Sequence, residues 1–184
     1  DSAVRPLFLI GLPGVGKSTI GRIVAEQLGL RFVDTDLFVE SRYHATISSM
    51  IGCCGIDKFR KRERVALLEL LQEEDTLIST GGGLPIWEDN MDRMLARGLV
   101  VYLRSPLDLL AERLYSVRAT RPAVAEKTLS EVRDYLEAIS LKRNPYYSRA
   151  HVVVPIGHLR SAEEELEAAE LVVSGIRRYL EEHD

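Results

Sequence analysis

Hydrophobic residues along this chain alternate between short unbroken apolar runs and longer stretches with helical spacing. The runs lie near residues 7–10, 31–34, 76–79, 99–103 and 151–154, and they have the length of strands buried on both faces. Between them, apolar residues recur every three or four positions. This alternation predicts an α/β domain with an open, parallel sheet of five strands.

Helical spacing also gives approximate bounds for the connecting helices. The first follows residue 16 and stops at Gly29, and the others are expected near residues 58–71, 90–97, 106–114, 129–147 and 162–180. Strand, loop, helix and strand over residues 7–34 form a βαβ unit, whose right-handed crossover makes its two strands parallel.

A glycine-rich turn follows the first apolar run. Gly11, Gly16, Lys17 and Ser18 fit G-x-x-x-x-G-K-[ST], the phosphate loop, between a strand and an amphipathic helix. Backbone N–H groups there cradle the α and β phosphates, Lys17 reaches the β and γ phosphates, and the Ser18 hydroxyl binds Mg²⁺. The alternative is a turn that only connects strand to helix. The predicted nucleotide contacts are Gly14, Val15, Gly16, Lys17, Ser18 and Thr19.

Composition narrows the classes of protein that fit. The 184 residues suit one domain with room for a lid, and a net charge of -4 argues against a nucleic-acid partner. No apolar run reaches membrane-span length. The adjacent Cys53 and Cys54 offer neither a disulfide framework nor a C-x-x-C metal site, which suits the cytoplasm. We expect a cytoplasmic monomer.

Chemical groups follow the second predicted strand. Asp34 and Asp36 project the same way if the backbone stays extended, which would place both carboxylates near the phosphates. One could hold water on Mg²⁺ or take a proton from an attacking hydroxyl, and the other could bind substrate hydroxyls. The alternative is that Asp36 only caps a helix over residues 37–43.

Glycines follow the third predicted strand. Residues 81–83 are all glycine, and we call them the glycine loop. Such a run lets the backbone approach a ligand closely, although a flexible linker is the alternative. Arg60 and Arg143 each present a planar fork suited to a substrate carboxylate.

Residues 112–126 lose helical spacing, and we expect a mobile lid over about 113–127 whose arginines Arg113, Arg118 and Arg121 close over a triphosphate.

Together these motifs resemble the shikimate kinases over nearly the whole chain. The similarity runs through GLPGVGKSTIG at 11–21, DTD at 34–36, FRKRE at 59–63, TGGG at 80–83, RGLVVYL at 97–103, RP at 121–122 and RNPYY at 143–147. The resemblance implies a three-layer P-loop fold of the nucleoside monophosphate kinase class, with a five-stranded parallel sheet in order 2-3-1-4-5. It also implies Mg²⁺-dependent transfer of the ATP γ-phosphoryl group to the 3-hydroxyl of shikimate, in aromatic amino acid (chorismate) biosynthesis.

The resemblance further implies a role for individual residues. Asp36 would bind the substrate hydroxyls, Arg60 and Arg143 the carboxylate, and Gly82 and Gly83 would contact the acid through their backbone. The substrate-binding region of the domain would span about residues 34–63. The predicted catalytic residues are Lys17, Asp34 and Arg121: Asp34 would place the metal through water or orient the attacking hydroxyl, and Arg121 would lie on the phosphates. Arg113 would stack on adenine, with Arg160 as a further adenine contact.

One stretch departs from the family pattern. Residues 48–56 replace its usual acidic run, and Ile56 stands where a glutamate is common. Two other functions fit the same residues: a gluconate-type sugar-acid kinase, and a nucleotide-binding module without catalysis. The glycine loop and the F-R-x-x-E motif count against the first, and retention of Lys17, Ser18, Asp34 and Asp36 counts against the second.

Overall fold

The computed structural model describes residues 5–183 and contains one parallel sheet. Its strands are β1 Leu7–Ile10, β2 Arg31–Asp34, β3 Thr76–Ser79, β4 Leu99–Arg104 and β5 Val152–Pro155. The strand order is β2-β3-β1-β4-β5, and every neighbouring pair is parallel. The predicted α/β class, strand number and order are therefore confirmed.

Eight α-helices surround the sheet in this part of the chain. They are α1 Lys17–Leu28, α2 Thr35–Tyr43, α3 Ile47–Cys54, α4 Ile56–Leu70, α5 Asn90–Arg97, α6 Leu107–Ser116, α7 Leu129–Tyr147 and α8 Ala162–Glu182. Two 3-10 helices, Leu84–Ile86 and Arg118–Thr120, lie in the connections. No helix among residues 5–183 is both long and apolar enough to cross a membrane.

The core lies on both faces of the central strands. All four residues of β1 are buried, as are the four of β3, because helices cover both sides of the sheet. A second, smaller apolar cluster joins α2, α3 and α4 through Val39, Met50, Phe59 and Ala66. This cluster holds the predicted substrate region together beside the main core.

Strand β5 begins one residue later than predicted. The backbone N–H of Val100 donates to Nδ1 of His151 at 3.0 Å. The His151 side chain thus takes the place of the backbone carbonyl that a residue of β5 would supply as acceptor. The strand instead extends to Pro155, which an edge strand tolerates.

Three local features differ from the sequence expectations or go beyond them. Helix α3 was not predicted, and helix α6 continues through Ser116, so the irregular segment begins at Val117 and Arg113 lies on a helix. Cys53 and Cys54, at the end of α3, are joined to each other in a disulfide. Because the two residues are consecutive, that bond connects no separate elements of the fold.

Candidate active site

The phosphate loop lies between β1 and α1, at the carboxyl edge of the sheet. Gly14 and Gly16 have positive φ values of 90° and 97°, which glycine adopts without strain. Gly16 precedes the first turn of α1 and has no side chain to cap it, so that turn presents its backbone N–H groups to a ligand. The loop therefore has the geometry of an anion cradle.

Lys17 folds back over this loop. Its Nζ donates to the carbonyl of Gly11 at 2.7 Å. The pKa of Lys17 is lowered from 10.5 to about 8, mainly by burial. The positive charges of Arg143 and Arg121 act in the same direction, whereas the carboxylates of Asp36 and Asp34 act in the opposite one. A phosphate group would relieve this crowding of positive charge.

Asp34 connects the phosphate loop to the substrate region. Its Oδ2 accepts from the Ser18 hydroxyl at 3.1 Å, while its Oδ1 accepts from the N–H groups of Asp36 at 2.9 Å and Leu37 at 3.3 Å. Asp34 is thus the N-cap of α2, and the alternative that Asp36 serves as the cap was wrong. The helix starts at Thr35 because the carboxylate one residue earlier already satisfies its free N–H groups.

Ser18 and Asp34 fit a magnesium site in which the protein supplies only a few of the ligands. They supply a hydroxyl and a carboxylate oxygen, the hard donors that Mg²⁺ takes. Among residues 5–183 no group of three or more His, Cys, Asp or Glu side chains could hold a metal. A magnesium ion here would therefore complete its shell with phosphate oxygens and water.

The glycine loop forms one wall of a cavity of about 290 Å³, which we call the acid pocket. A Cβ at Gly81 would come within 2.6 Å of Asp36 Oδ1, one at Gly82 would overlap the Arg143 guanidinium, and one at Gly83 would overlap that of Arg60. Three charged side chains thus pack against three bare backbone positions. This is the close approach for which the run of glycines is needed.

Arg60 is held in place by a buried carboxylate. Glu63 is only 1% exposed, and its Oε1 accepts from Arg60 Nη1 at 2.6 Å. Burial raises the pKa of Glu63 to about 7, although Arg60 by itself lowers it. The remaining nitrogens of Arg60 stay at the cavity wall.

Arg143 carries an unused donor. Within residues 5–183, its Nη1 is buried and has no hydrogen-bond partner. Asp36 lines the same cavity, and burial together with the nearby Asp34 raises the pKa of its carboxyl group. Two guanidinium groups and one carboxylate therefore surround a space the size of a small molecule.

Apolar side chains from α3 and α4 also line the acid pocket. Ile47 and Ile51 come from α3, and Ile56 and Phe59 come from the start of α4. Ile56 is 46% exposed and faces the pocket edge where the family commonly has glutamate. The sequence reasoning did not include Ile47 and Ile51; their spacing with Met50 after the cap Thr46 was the available signal.

Arg121 lies between the two substrate sites. It lines both the acid pocket and a neighbouring cavity of about 350 Å³ formed by the phosphate loop, Asp34 and the glycine loop. Arg118, in contrast, is placed over the Tyr115 ring, at 3.8 Å from its centroid. Of the predicted lid arginines, Arg121 alone lines those two cavities.

Arg113 and Arg160 come together beside the phosphate loop, and Arg113 also lines the phosphate-loop cavity. Both line a third cavity, of about 340 Å³, which also includes His158. Arg113 donates to the carbonyls of Gly14 at 2.7 Å, Val15 at 3.1 Å and Gly157 at 2.7 Å. Its guanidinium therefore ties the phosphate loop to the chain after β5 while lining the expected adenine site.

A phosphate loop on this sheet, joined by shared walls to a pocket for a small acid, defines a P-loop kinase that acts on small molecules. The family model of shikimate kinase matches residues 13–174. The chain belongs to the shikimate kinase family, and it is an ATP-dependent kinase with the activity for which that family is named.

Relatives and solved structures agree with this assignment. The shikimate kinase of Azobacteroides pseudotrichonymphae is 41% identical over 151 residues, which cover 82% of this chain and 89% of the relative. The crystal structure of shikimate kinase from Bacteroides thetaiotaomicron has a TM-score of 0.86 at 30% identity, and covers 96% of this chain and 99% of its own. Shikimate kinase from Acinetobacter baumannii, solved in complex with shikimate, has a TM-score of 0.81 at 31% identity, with 95% and 94% covered.

Proposed function

We propose that this chain transfers the γ-phosphoryl group of ATP to the 3-hydroxyl of shikimate and releases ADP and shikimate 3-phosphate. The observation that carries the proposal is the unpartnered, buried Nη1 of Arg143, a residue that lines the same cavity as Arg60 and Asp36. A buried donor without a partner is costly, and the carboxylate of a bound acid would satisfy it.

The acid would bind between the glycine loop and the apolar side chains of α3 and α4. Its carboxylate would lie on the Arg60 and Arg143 forks, and its hydroxyls would donate to Asp36. Gly82 and Gly83 would contact it through their backbone, because the guanidinium groups already lie against those residues. This arrangement turns one hydroxyl towards the cavity of the phosphate loop, which shares Asp36 and Arg121 with the acid pocket.

Phosphoryl transfer would then rely on positioning and charge. The backbone of residues 14–19 would cradle the phosphates, with Lys17 and Arg121 neutralising charge on the transferred group. The acid's hydroxyl oxygen forms the new bond to phosphorus, and the bond from phosphorus to the ADP oxygen breaks. We assign the hydroxyl proton to Asp36, since its raised pKa makes it the better base and both oxygens of Asp34 already accept hydrogen bonds.

Mg²⁺ would be held by the Ser18 hydroxyl and, through water, by Asp34. When bound, the ion would supply positive charge that offsets the negative charge of the phosphates. Arg113 and Arg160 would flank the adenine. The cytoplasmic location and the monomeric state stay predictions of the sequence.

The test offers ATP and Mg²⁺ to the purified protein with shikimate, gluconate or no acid. ADP release should depend on shikimate, and phosphorus NMR should place the new ester on the 3-hydroxyl. Faster turnover with gluconate would favour the sugar-acid kinase alternative. ATP binding without ADP release on any acid would favour the module without catalysis.

A further inference from the structure

The glycine loop is held from two sides by buried hydroxyl groups. Thr35, which is fully buried, accepts the N–H of Gly81 on its Oγ1 at 2.8 Å. On the other side, the hydroxyl of Tyr147 donates to the carbonyl of Gly82 at 2.6 Å. Gly82 is the residue against which the Arg143 guanidinium packs. Any shift of this backbone would therefore also move the place where Arg143 lies.

Tyr147 and Arg143 belong to the same face of α7. They are four residues apart, which places one a single turn above the other. Burial raises the pKa of the Tyr147 hydroxyl to about 12, and the nearby positive charge of Arg143 acts in the opposite direction. The group therefore stays a donor at neutral pH. Its second neighbour is the carbonyl of Gly11 at 3.4 Å, in the phosphate loop.

We propose that Tyr147 is a positioning residue for the acid substrate: its hydroxyl fixes Gly82 and Arg143 relative to each other, beside the start of the phosphate loop. This inference rests on the proposed function. Tyr147 is fully buried, so it acts through these two residues and not by contact with solvent. Loss of the hydroxyl leaves the ring in place but frees the Gly82 carbonyl from its support.

A neighbouring tyrosine, Tyr102, provides a matched control for a substitution of Tyr147. The ring of Tyr102 packs against that of Tyr147, with centroids 5.2 Å apart, and Tyr102 is also buried. Its hydroxyl, however, pairs with Asn144 at 3.4 Å and with no group of the glycine loop. Tyr147→Phe and Tyr102→Phe therefore remove the same chemical group from neighbouring positions, and only the first removes a hydroxyl that is bonded to the glycine loop.

Steady-state kinetics with each substrate varied in turn provides the measurement. Tyr147→Phe should raise KM for shikimate about tenfold and leave KM for ATP within about twofold, while Tyr102→Phe changes neither by more than about twofold. A lowered Tm with unchanged KM for shikimate would overturn the proposal, because the role would then be structural. Equal rises in both KM values would overturn it too.

A double-mutant cycle with Arg143→Lys tests the route of the effect. If Tyr147 acts through Arg143, Tyr147→Phe should raise KM for shikimate much less in the Arg143→Lys protein than in the wild type. Fully additive effects would overturn this route. Failure of the wild type to phosphorylate shikimate would contradict the proposed function, whereas normal wild-type activity with a normal Tyr147→Phe variant would contradict only the role of Tyr147.

Discussion

The Arg143 guanidinium packs so closely against Gly82 that it occupies the space a side chain at position 82 would need. Alanine at position 82 would push the end of a flexible side chain and not backbone. Gly82 does not have a positive φ, so alanine adds no backbone strain. The substitution should therefore change binding more than folding.

Gly82→Ala should raise KM for shikimate by about tenfold or more while Tm changes by only a few degrees, because a displaced fork no longer aligns with the carboxylate. Kinetics and thermal melting give the two values. Gly52→Ala is the control, since a Cβ there meets nothing within 4 Å. A large loss of Tm with normal KM for the acid would contradict this reading of Gly82.

Replacement of Arg60 or Arg143 by lysine keeps the charge but loses the planar fork. We expect KM for shikimate to rise about tenfold in each variant, with KM for ATP little changed. Arg133→Lys, on the exposed part of α7 where Arg133 pairs with Asp108, is a suitable control. Weakened ATP binding in place of weakened acid binding would show that the carboxylate is bound elsewhere.

Lys17→Met should lower kcat by about 10²–10³-fold with little change in Tm, because the variant loses a positive charge from the transition state but relieves a buried ammonium. Single-turnover kinetics and melting curves separate these two effects. Near-normal turnover in a folded variant would refute the role of Lys17.

Lys17 should also make ATP binding depend on pH. In the free protein its pKa is about 8, and the added negative charge of bound phosphates would raise it. Above pH 8 the free lysine loses its proton, so ATP binding must take one up and affinity should fall as pH rises. Below about pH 7 lysine is already protonated and affinity should be flat.

Calorimetry can detect this proton directly. At pH 8, ATP binding measured in two buffers of different ionisation enthalpy should show uptake of about half a proton. Shikimate binding to the free protein provides the comparison under the same conditions. Zero uptake on ATP binding between pH 8 and 9 would mean that Lys17 stays charged in the free protein.

The segment over residues 115–127 should exchange its amide hydrogens fastest of the internal segments without ligands. After the last two residues of α6, it has only a short 3-10 helix and turns before the capping box that starts α7 at Thr128. Binding of ATP and shikimate together should slow its exchange as Arg121 closes on the phosphates. Strong protection in the free protein would contradict a lid; β1 serves as the protected reference.

Much of the fold was predictable because its strands are unbroken apolar runs between turn residues. The bounds of β2 and β3, and of α5 and α7, agree with the sequence pattern residue for residue. Helix α3 was missed because its eight residues include glycine and serine, and its apolar positions are stabilised by packing against α2 and α4. Such a tertiary contact leaves little local signal.

Site chemistry was predictable where a motif specifies backbone geometry, as in the phosphate loop and residues 81–83. It was less predictable where one side chain is supported by another. The F-R-x-x-E motif does predict that Glu63 pairs with Arg60, and it does so. The burial of Glu63 could not be predicted, because a charge-rich helical turn is typical of a solvated face. The pairing of Tyr147 with Gly82 spans 65 positions of sequence and cannot be inferred from local spacing.

Asp34 uses one carboxylate oxygen to cap α2 and the other to receive the hydroxyl of Ser18. The start of the helix that carries Asp36 is therefore bonded to the same carboxylate as the Ser18 hydroxyl, which we propose as a magnesium ligand. A variant at this position would lose helix stability and metal alignment together, so its slow turnover would overstate the share of catalysis due to the ion. Asparagine, which can still cap a helix while losing the charge, is the replacement that separates the two contributions.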